Sequence, residues 1–375
     1  MKKFVSLLMC ICMLLGIAAF SGCGASDEPA GGTSGSPQAS EGTPAVSESE
    51  KEALREKLKA EFLSEADKVV ITDDAVTFTD ASSADGSSVT ISKNPQKTVN
   101  LYASFTTLWY EAGGTVIGCI GGDTSVDLYQ EYIGRDITAD GGVSVVATSS
   151  SGKKWDVETI INLQPDLIIC STAMSGYSTI QAPAAAADIP VIAVSYNDFS
   201  DYLKWFKVFC NINGKSELWD SVALKALDQV TEILASCPTE NTPSVFSMFV
   251  NADSLQANTS NTVVGGMISA MNAGNIVDTW ENASSAERLE INLETVFSAN
   301  PDIIIVQCHA GEDDAKALVE STYGSNPVWQ SLKAVQDGKV YYLEKSLFHN
   351  KPNSRFAEAY QKLAEILYPE LALSS

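Results

Sequence analysis

The sequence predicts an α/β protein of two similar lobes, each built on a central, mostly parallel sheet, with a ligand cleft between them. A repeat carries most of this expectation. Residues 155–171 (WDVETIINLQPDLIICS) recur, shifted by 136 positions, as residues 291–307 (INLETVFSANPDIIIVQ), so that Glu158 falls on Glu294, Pro165 on Pro301 and Asp166 on Asp302. Each copy reads as a short amphipathic helix, a Pro-Asp turn that the helix cannot cross, and then an apolar run. The runs (LIIC, IIIV) do not alternate, as expected of strands covered on both faces. The 375-residue length is enough for two domains of ordinary size.

The rest of the chain fits around these two units. Residues 1–22 read as a secretory leader, with Lys2 and Lys3 before an apolar stretch from Phe4 to Phe20. Residues 23–67 read as a tether rich in Gly, Ser, Ala, Pro and Thr, followed from Ser47 by a solvated helix with apolar spacing at Leu54, Leu58 and Phe62. The amino-terminal lobe is expected over 68–197. It opens with an alternating hairpin (68–93) turning at Asp85-Gly86, then strands near Val99 and Thr115, a helix from Ser104 to Glu111, a long loop region over 121–154, the first repeat copy, a helix near 179–186 and a strand from Pro190. Residues 198–242 read as connecting helices. Tyr202, Trp205, Phe206 and Phe209 share one helical face, and Gly214 breaks the pattern. The carboxyl-terminal lobe, 243–375, holds a strand at Ser244–Val250, a helix near 263–272, the second copy, the Asp337-Gly338 turn and a closing helix over 354–367.

Composition narrows the functional classes. A formal charge of −23 argues against nucleic acid and against adsorption to anionic lipid. Two His residues rule out a multi-His metal site without many thiols or carboxylates. Among the Cys residues after the leader there is no CxxC, and Cys119, Cys170 and Cys308 sit in or beside apolar runs, where a thiol acts as a small hydrophobe; a Cys210–Cys237 bridge stays open. There is no GxSxG, P-loop, glycine fingerprint or HExxH, so the chain reads as a binder rather than an enzyme, with no cofactor.

Four features in register then resemble a known family. They are the hairpin leading to NPQKTVNL, the paired E-x6-PD units, the mid-chain helix ending at Gly214-Lys215, and NPVWQSLKAVQDGKVYYL followed by a helix closing in YPE. Over about residues 75–370 the chain resembles the substrate-binding lipoproteins of ABC importers, in the class that handles iron–siderophores, haem and cobalamin. Phe20-Ser21-Gly22-Cys23 is similar to a lipobox, with Phe where Leu is usual. The resemblance implies two lobes joined by one long helix, small closure movements, and a monomer anchored outside the cytoplasmic membrane through a lipid on Cys23. It implies capture of a ferric siderophore and its delivery to an ABC permease with its ATPase. Haem or cobalamin as the ligand, and a sensor coupled to a membrane receptor, stay open as alternatives.

The same resemblance implies that Glu158 and Glu294 dock on Arg pockets of the permease, a role that a helix-terminal carboxylate suits because the helix dipole keeps it ionised. Ligand contacts are expected from loops at the carboxyl ends of the strands: Ser104, Phe105, Thr106, Met174, Tyr177 and Tyr196 from the first lobe, and Gln307, His309 and His349 from the second. Tyr, His and Met are all possible ligands to haem iron; each His reads equally as a hydrogen-bonding surface residue. Lys153, Lys154, Lys345, Lys351 and Arg355 are the available positive charges.

Overall fold

The computed structural model describes residues 47–82, 86–148 and 154–371. The leader (1–22), Cys23, Asp85 and Lys153 lie outside the described residues. The described residues from Ser49 to Leu371 form one compact unit that contains both principal sheets.

Helix α1 (Glu48–Leu63) leads into a small antiparallel sheet of β1 (Val70–Ile71), β2 (Ala75–Thr79) and β3 (Ser88–Ser92). The amino-terminal lobe follows as β4 (Thr98–Asn100), α2 (Ala103–Glu111), β5 (Gly118–Ile120), α3 (Asp123–Ile133), β6 (Ser144–Ala147), α4 (Val157–Asn162), β7 (Leu167–Ser171), α5 (Tyr177–Ala186) and β8 (Val191–Val194). Its strands are all parallel, in the order β6-β5-β4-β7-β8. The segment 121–154, expected as loop, carries α3 and β6. Its Gly, Asp and Ser residues mark the ends of these elements, while Leu128 and Tyr129 are buried inside α3.

The connection runs through α6 (Phe199–Ile212), capped by the Asp198 carboxylate on the Asp201 N–H at 2.9 Å. Gly214 turns the chain at φ +65, where a Cβ would approach Asn94 Oδ1 to 2.7 Å. A second, longer helix then begins with a π-helical turn (Trp219–Leu224) and continues as α7 (Lys225–Ser236). Tyr202, Trp205, Phe206 and Phe209 of α6 are buried together, each contributing about 2–3 kcal/mol of apolar burial. Cys210 and Cys237 are both free and buried.

The carboxyl-terminal lobe comprises β9 (Ser244–Val250), β10 (Leu255–Asn258), α8 (Val263–Ala270), β11 (Gly274–Asn275), β12 (Arg288–Glu290), α9 (Leu293–Ala299), β13 (Ile303–Cys308), α10 (Glu312–Tyr323), α11 (Pro327–Gln330), α12 (Lys333–Gln336), β14 (Val340–Leu343), α13 (Lys345–Phe348) and α14 (Phe356–Leu367). Its sheet, β12-β10-β9-β13-β14, is parallel from β9 to β14 and antiparallel at the β10 and β12 edge. Two α/β lobes with mostly parallel sheets are therefore present.

The repeated Asp residues have a structural task beyond the turn. Asp166 accepts the backbone N–H of Gln96 (2.8 Å) and Lys97 (3.0 Å), at the approach to β4. Asp302 accepts the N–H (3.0 Å) and the hydroxyl (2.7 Å) of Ser244, the first residue of β9. In each lobe the turn before the repeat strand thus pins the start of a neighbouring strand. Both repeat strands, β7 and β13, are buried throughout.

Candidate functional site

Each sheet reverses its winding direction once among its parallel strands. In the first lobe the chain steps outward from β4 one way and from β7 the other. In the second, β9 and β13 flank the corresponding point. Loops at the carboxyl ends of such strand pairs open a crevice, and the two crevices meet between the lobes. Tyr102, Phe105, Thr172, Ala173, Tyr196 and Asn197 form one wall. Asn261, Thr262, Arg288, Gln307, His349 and Lys351 form the other. Asn197, Glu287 and Lys351 reach both of the cavities found there, which enclose about 140 Å³ and about 80 Å³. Ligand pockets usually span roughly 300–1,000 Å³, so each cavity is smaller than an ordinary ligand pocket.

The first wall is aromatic. Tyr196 stacks on Phe105 (centroids 6.1 Å, 5°) and on Phe356 (6.3 Å, 27°), and the Lys351 ammonium lies 5.2 Å from its ring centre. Burial pushes the Lys351 amine down to about 8. Ser104 and Thr106 are buried in the first turn of α2 instead. The Ser104 carbonyl accepts from Asn353 Nδ2 at 3.0 Å, and the Thr106 hydroxyl donates to the Tyr102 carbonyl at 3.2 Å. Met174 and Tyr177 pack against the apolar cluster that contains Ile180 and Ala184.

The second wall is a polar relay backed by a ring. Arg288 Nε donates to Asn258 Oδ1 (3.1 Å), Asn258 Nδ2 to Gln307 Oε1 (3.0 Å), and Gln307 Nε2 to the Phe348 carbonyl (2.7 Å). The Arg288 guanidinium lies 4.2 Å from the Phe249 ring centre, a cation–π distance. Phe249 in turn stacks on His349 at 5.9 Å and 15°. His309 and His349, the chain's two His residues, meet with Nδ1 of the first 2.9 Å from Nε2 of the second. Burial and the neighbouring His309 hold His349 down to about 3, and burial, with Lys345 and Arg288 nearby, lowers His309. Both rings are neutral at pH 7 and keep lone pairs. Among the described residues no group of three or more His, Cys, Asp or Glu could hold a metal ion.

Sequence reading missed Tyr102, Asn261, Thr262, Glu287 and Arg288. Arg288 has no local signal, because its partner Asn258 lies 30 positions away and meets it only through the pairing of β10 with β12. Of the other cations, Arg355 is committed to Glu358 (2.6 Å) and to Glu131 of the first lobe, and Lys154 is exposed near α4.

Glu158 and Glu294 sit in the first turns of α4 and α9, both exposed. Each helix has a side-chain cap: Asp156 accepts from the Thr159 N–H, and Asn292 from those of Glu294 and Thr295. Among the described residues neither Glu carboxylate has an ion-pair partner.

A two-lobed α/β body with a polar and aromatic cleft at paired switch points has the architecture of a substrate-binding protein. Residues 104–347 match the periplasmic binding protein family, and the chain belongs to it. It is 25% identical over 254 residues to the Fe(3+)-citrate-binding protein YfmC of Bacillus subtilis, covering 67% of this chain and 74% of that one. It is also 25% identical over 303 residues to the uncharacterized ABC transporter substrate-binding lipoprotein YvrC of the same organism, covering 79% and 86%. Among solved structures, IsdE of S. aureus complexed with heme shares the fold at a TM-score of 0.57 and 15% identity, covering 72% of this chain and 98% of that one.

Proposed function

We propose that this chain is the binding component of an ABC importer, held outside the cell membrane by a lipid on Cys23, and that it captures a ferric chelate between its lobes for delivery to the permease. One observation carries the reading. Groups suited to an anionic, partly apolar complex converge from both switch points: the Tyr196 and Phe105 rings on one side, and Arg288, Lys351 and neutral His349 on the other. The likeness to an Fe(3+)-citrate-binding protein supports the ferric part, and the likeness to a substrate-binding lipoprotein supports the anchor. Exposed Glu158 and Glu294, one on each lobe, supply the docking points.

The test is a calorimetric titration of the full chain, purified in detergent, with ferric citrate, ferric desferrioxamine, ferric enterobactin and haem. Saturable binding of a ferric chelate is the expected result. Binding of haem alone would replace the ferric-chelate reading with a tetrapyrrole one.

A further inference from the structure

A segment of the second lobe crosses to the first. His349 and Lys351, between β14 and α14, line the cleft, and Asn353, Ser354 and Arg355 follow directly. Asn353 is fully buried with a left-handed backbone at φ +51, a conformation that Asn adopts more readily than most residues. Its Nδ2 crosses to α2, donating to the Ser104 carbonyl at 3.0 Å and to the Thr107 hydroxyl at 2.9 Å. The Ser354 hydroxyl and N–H both donate to the carboxylate of Glu111, the last residue of α2. Arg355 pairs with Glu131 of α3, and Tyr132 of α3 donates to the Ser346 carbonyl. These ties join residues 214 to 249 positions apart, and all of them run from 346–355 to α2 or α3.

We infer that residues 346–355 form a latch between the lobes, which Glu111 holds shut while it carries a proton and releases when it ionises, so that the cleft opens as pH rises. This rests on the reading of a ligand captured between the lobes, and adds the device that governs their separation. Because Lys351 and Asn353 are two residues apart, the cleft wall and the latch move as one piece of chain. Behind the opposite wall, Glu111 also faces Tyr196, whose ring stacks on Phe105 in the cleft.

The surroundings of Glu111 set the direction. Burial pushes its carboxyl up to about 7, and the Ser354 donors and Arg355 offset this only in part. Arg355 is already paired with Glu131 and Glu358. Tyr132 of α3, Tyr196 before α6 and Tyr202 within α6 also face the carboxyl, and burial raises all three phenols, so they stay neutral near pH 7. Separation of the lobes hydrates the carboxyl and returns it toward its ordinary 4.5. The closed state therefore keeps a proton that the open state gives up. Closure is favoured fully below about pH 4.5 and weakens as pH rises to about 7, where the closed carboxyl ionises too.

The test measures the distance between lobes in the full chain, purified in detergent, by double electron–electron resonance. Nitroxide labels are placed by Asn162→Cys and Ser298→Cys, exposed positions on α4 and α9. The five Cys of the described residues are buried, and buried thiols of this kind are inert. Between about pH 5 and about pH 8 the ratio of separated to closed molecules is expected to rise at least about tenfold. Glu111→Gln, which keeps the shape of the carboxyl without its charge, should stay closed at both. Asn353→Ala, which loses both bonds to α2, should separate already at the lower pH. Thermal unfolding checks the fold of each variant. Equal distance distributions at the two pH values, or the same pH shift in folded Glu111→Gln, would overturn the inference. The readout needs no ligand, so the latch and the ferric-chelate reading fail separately.

Discussion

Across the seam between the lobes, the Ser354 hydroxyl donates to the Glu111 carboxylate at 2.9 Å, and the Ser354 N–H to its other oxygen at 3.3 Å. Beside it, Asn353 Nδ2 reaches the Ser104 carbonyl and, at 2.9 Å, the Thr107 hydroxyl. Tyr132 donates to the Ser346 carbonyl at 3.3 Å. The segment before α14 thus fastens the second lobe to α2 and α3 of the first.

Burial pushes the Glu111 carboxyl up to about 7, against a lowering by its Ser354 hydrogen bonds. The folded state therefore binds a proton that the unfolded state has released between about pH 4.5 and 7, and stability falls as pH rises through that window. Glu111→Gln should remove this slope and raise stability at pH 8 by about 1–3 kcal/mol, an order-of-magnitude value from the size of the shift. Urea unfolding at pH 5 and pH 8 checks it; an unchanged pH slope in the variant counts against the seam as described.

Asp302 behaves in the opposite way. Lys333 at 2.7 Å and the Ser244 donors hold its carboxyl down to about 2. Its contribution is present above about pH 4 and is lost as pH falls toward 2. Asp302→Ala should cost about 1–2 kcal/mol at pH 7 by freeing the Ser244 donors, with the loss shrinking below pH 3. Thermal unfolding across pH 2–7 measures both.

Helix α1 tests burial against surface charge. Arg55 pairs with Glu232 and Lys59 with Asp228, both at 3.0 Å and with side chains partly exposed. Phe62 is buried edge-on against Phe199 at 5.2 Å. Removing both ion pairs should cost less than about 1 kcal/mol, whereas Phe62→Ala should cost about 3 kcal/mol. Denaturant midpoints decide, and a reversed order would show that charge rather than burial holds this helix.

Glu158→Ala with Glu294→Ala should leave chelate affinity unchanged while iron-55 uptake by cells falls at least about tenfold, the scale of a lost charge-assisted contact at each lobe. A loss of affinity with normal uptake per bound chelate would remove the docking role.

Much of the fold was legible because the repeat carries its own punctuation: Pro and Asp at the turn, then an apolar strand that meets its first polar residue, Ser171 or Gln307, only near its carboxyl end. Helix α3 was not read, although Gly122 and Gly134 bracket it, because Asp123, Thr124, Ser125 and Asp127 suggest loop. Gly134, at φ +82, is its left-handed cap. Helix α1 was expected in solvent, yet it packs on α7 through partners about 170 positions away. In the site, Phe105, Tyr196, Gln307 and His349 reach the cleft cavities through loops whose place follows from strand order. The His pair was visible only as two separate residues. It is the parallel pairing of β13 with β14 that sets His309 beside the start of the segment bearing His349.

The central claim is that a ferric chelate is held between Tyr196 and Arg288. Its most direct measurement is the iron that co-elutes with the full chain in gel filtration after mixing with ferric citrate, for wild type and for Tyr196→Ala with Arg288→Ala. The account predicts stoichiometric iron on wild type and binding at least about tenfold weaker in the variant, the scale of one lost charge-assisted hydrogen bond. Absence of iron on wild type, or equal iron on both proteins, would contradict it.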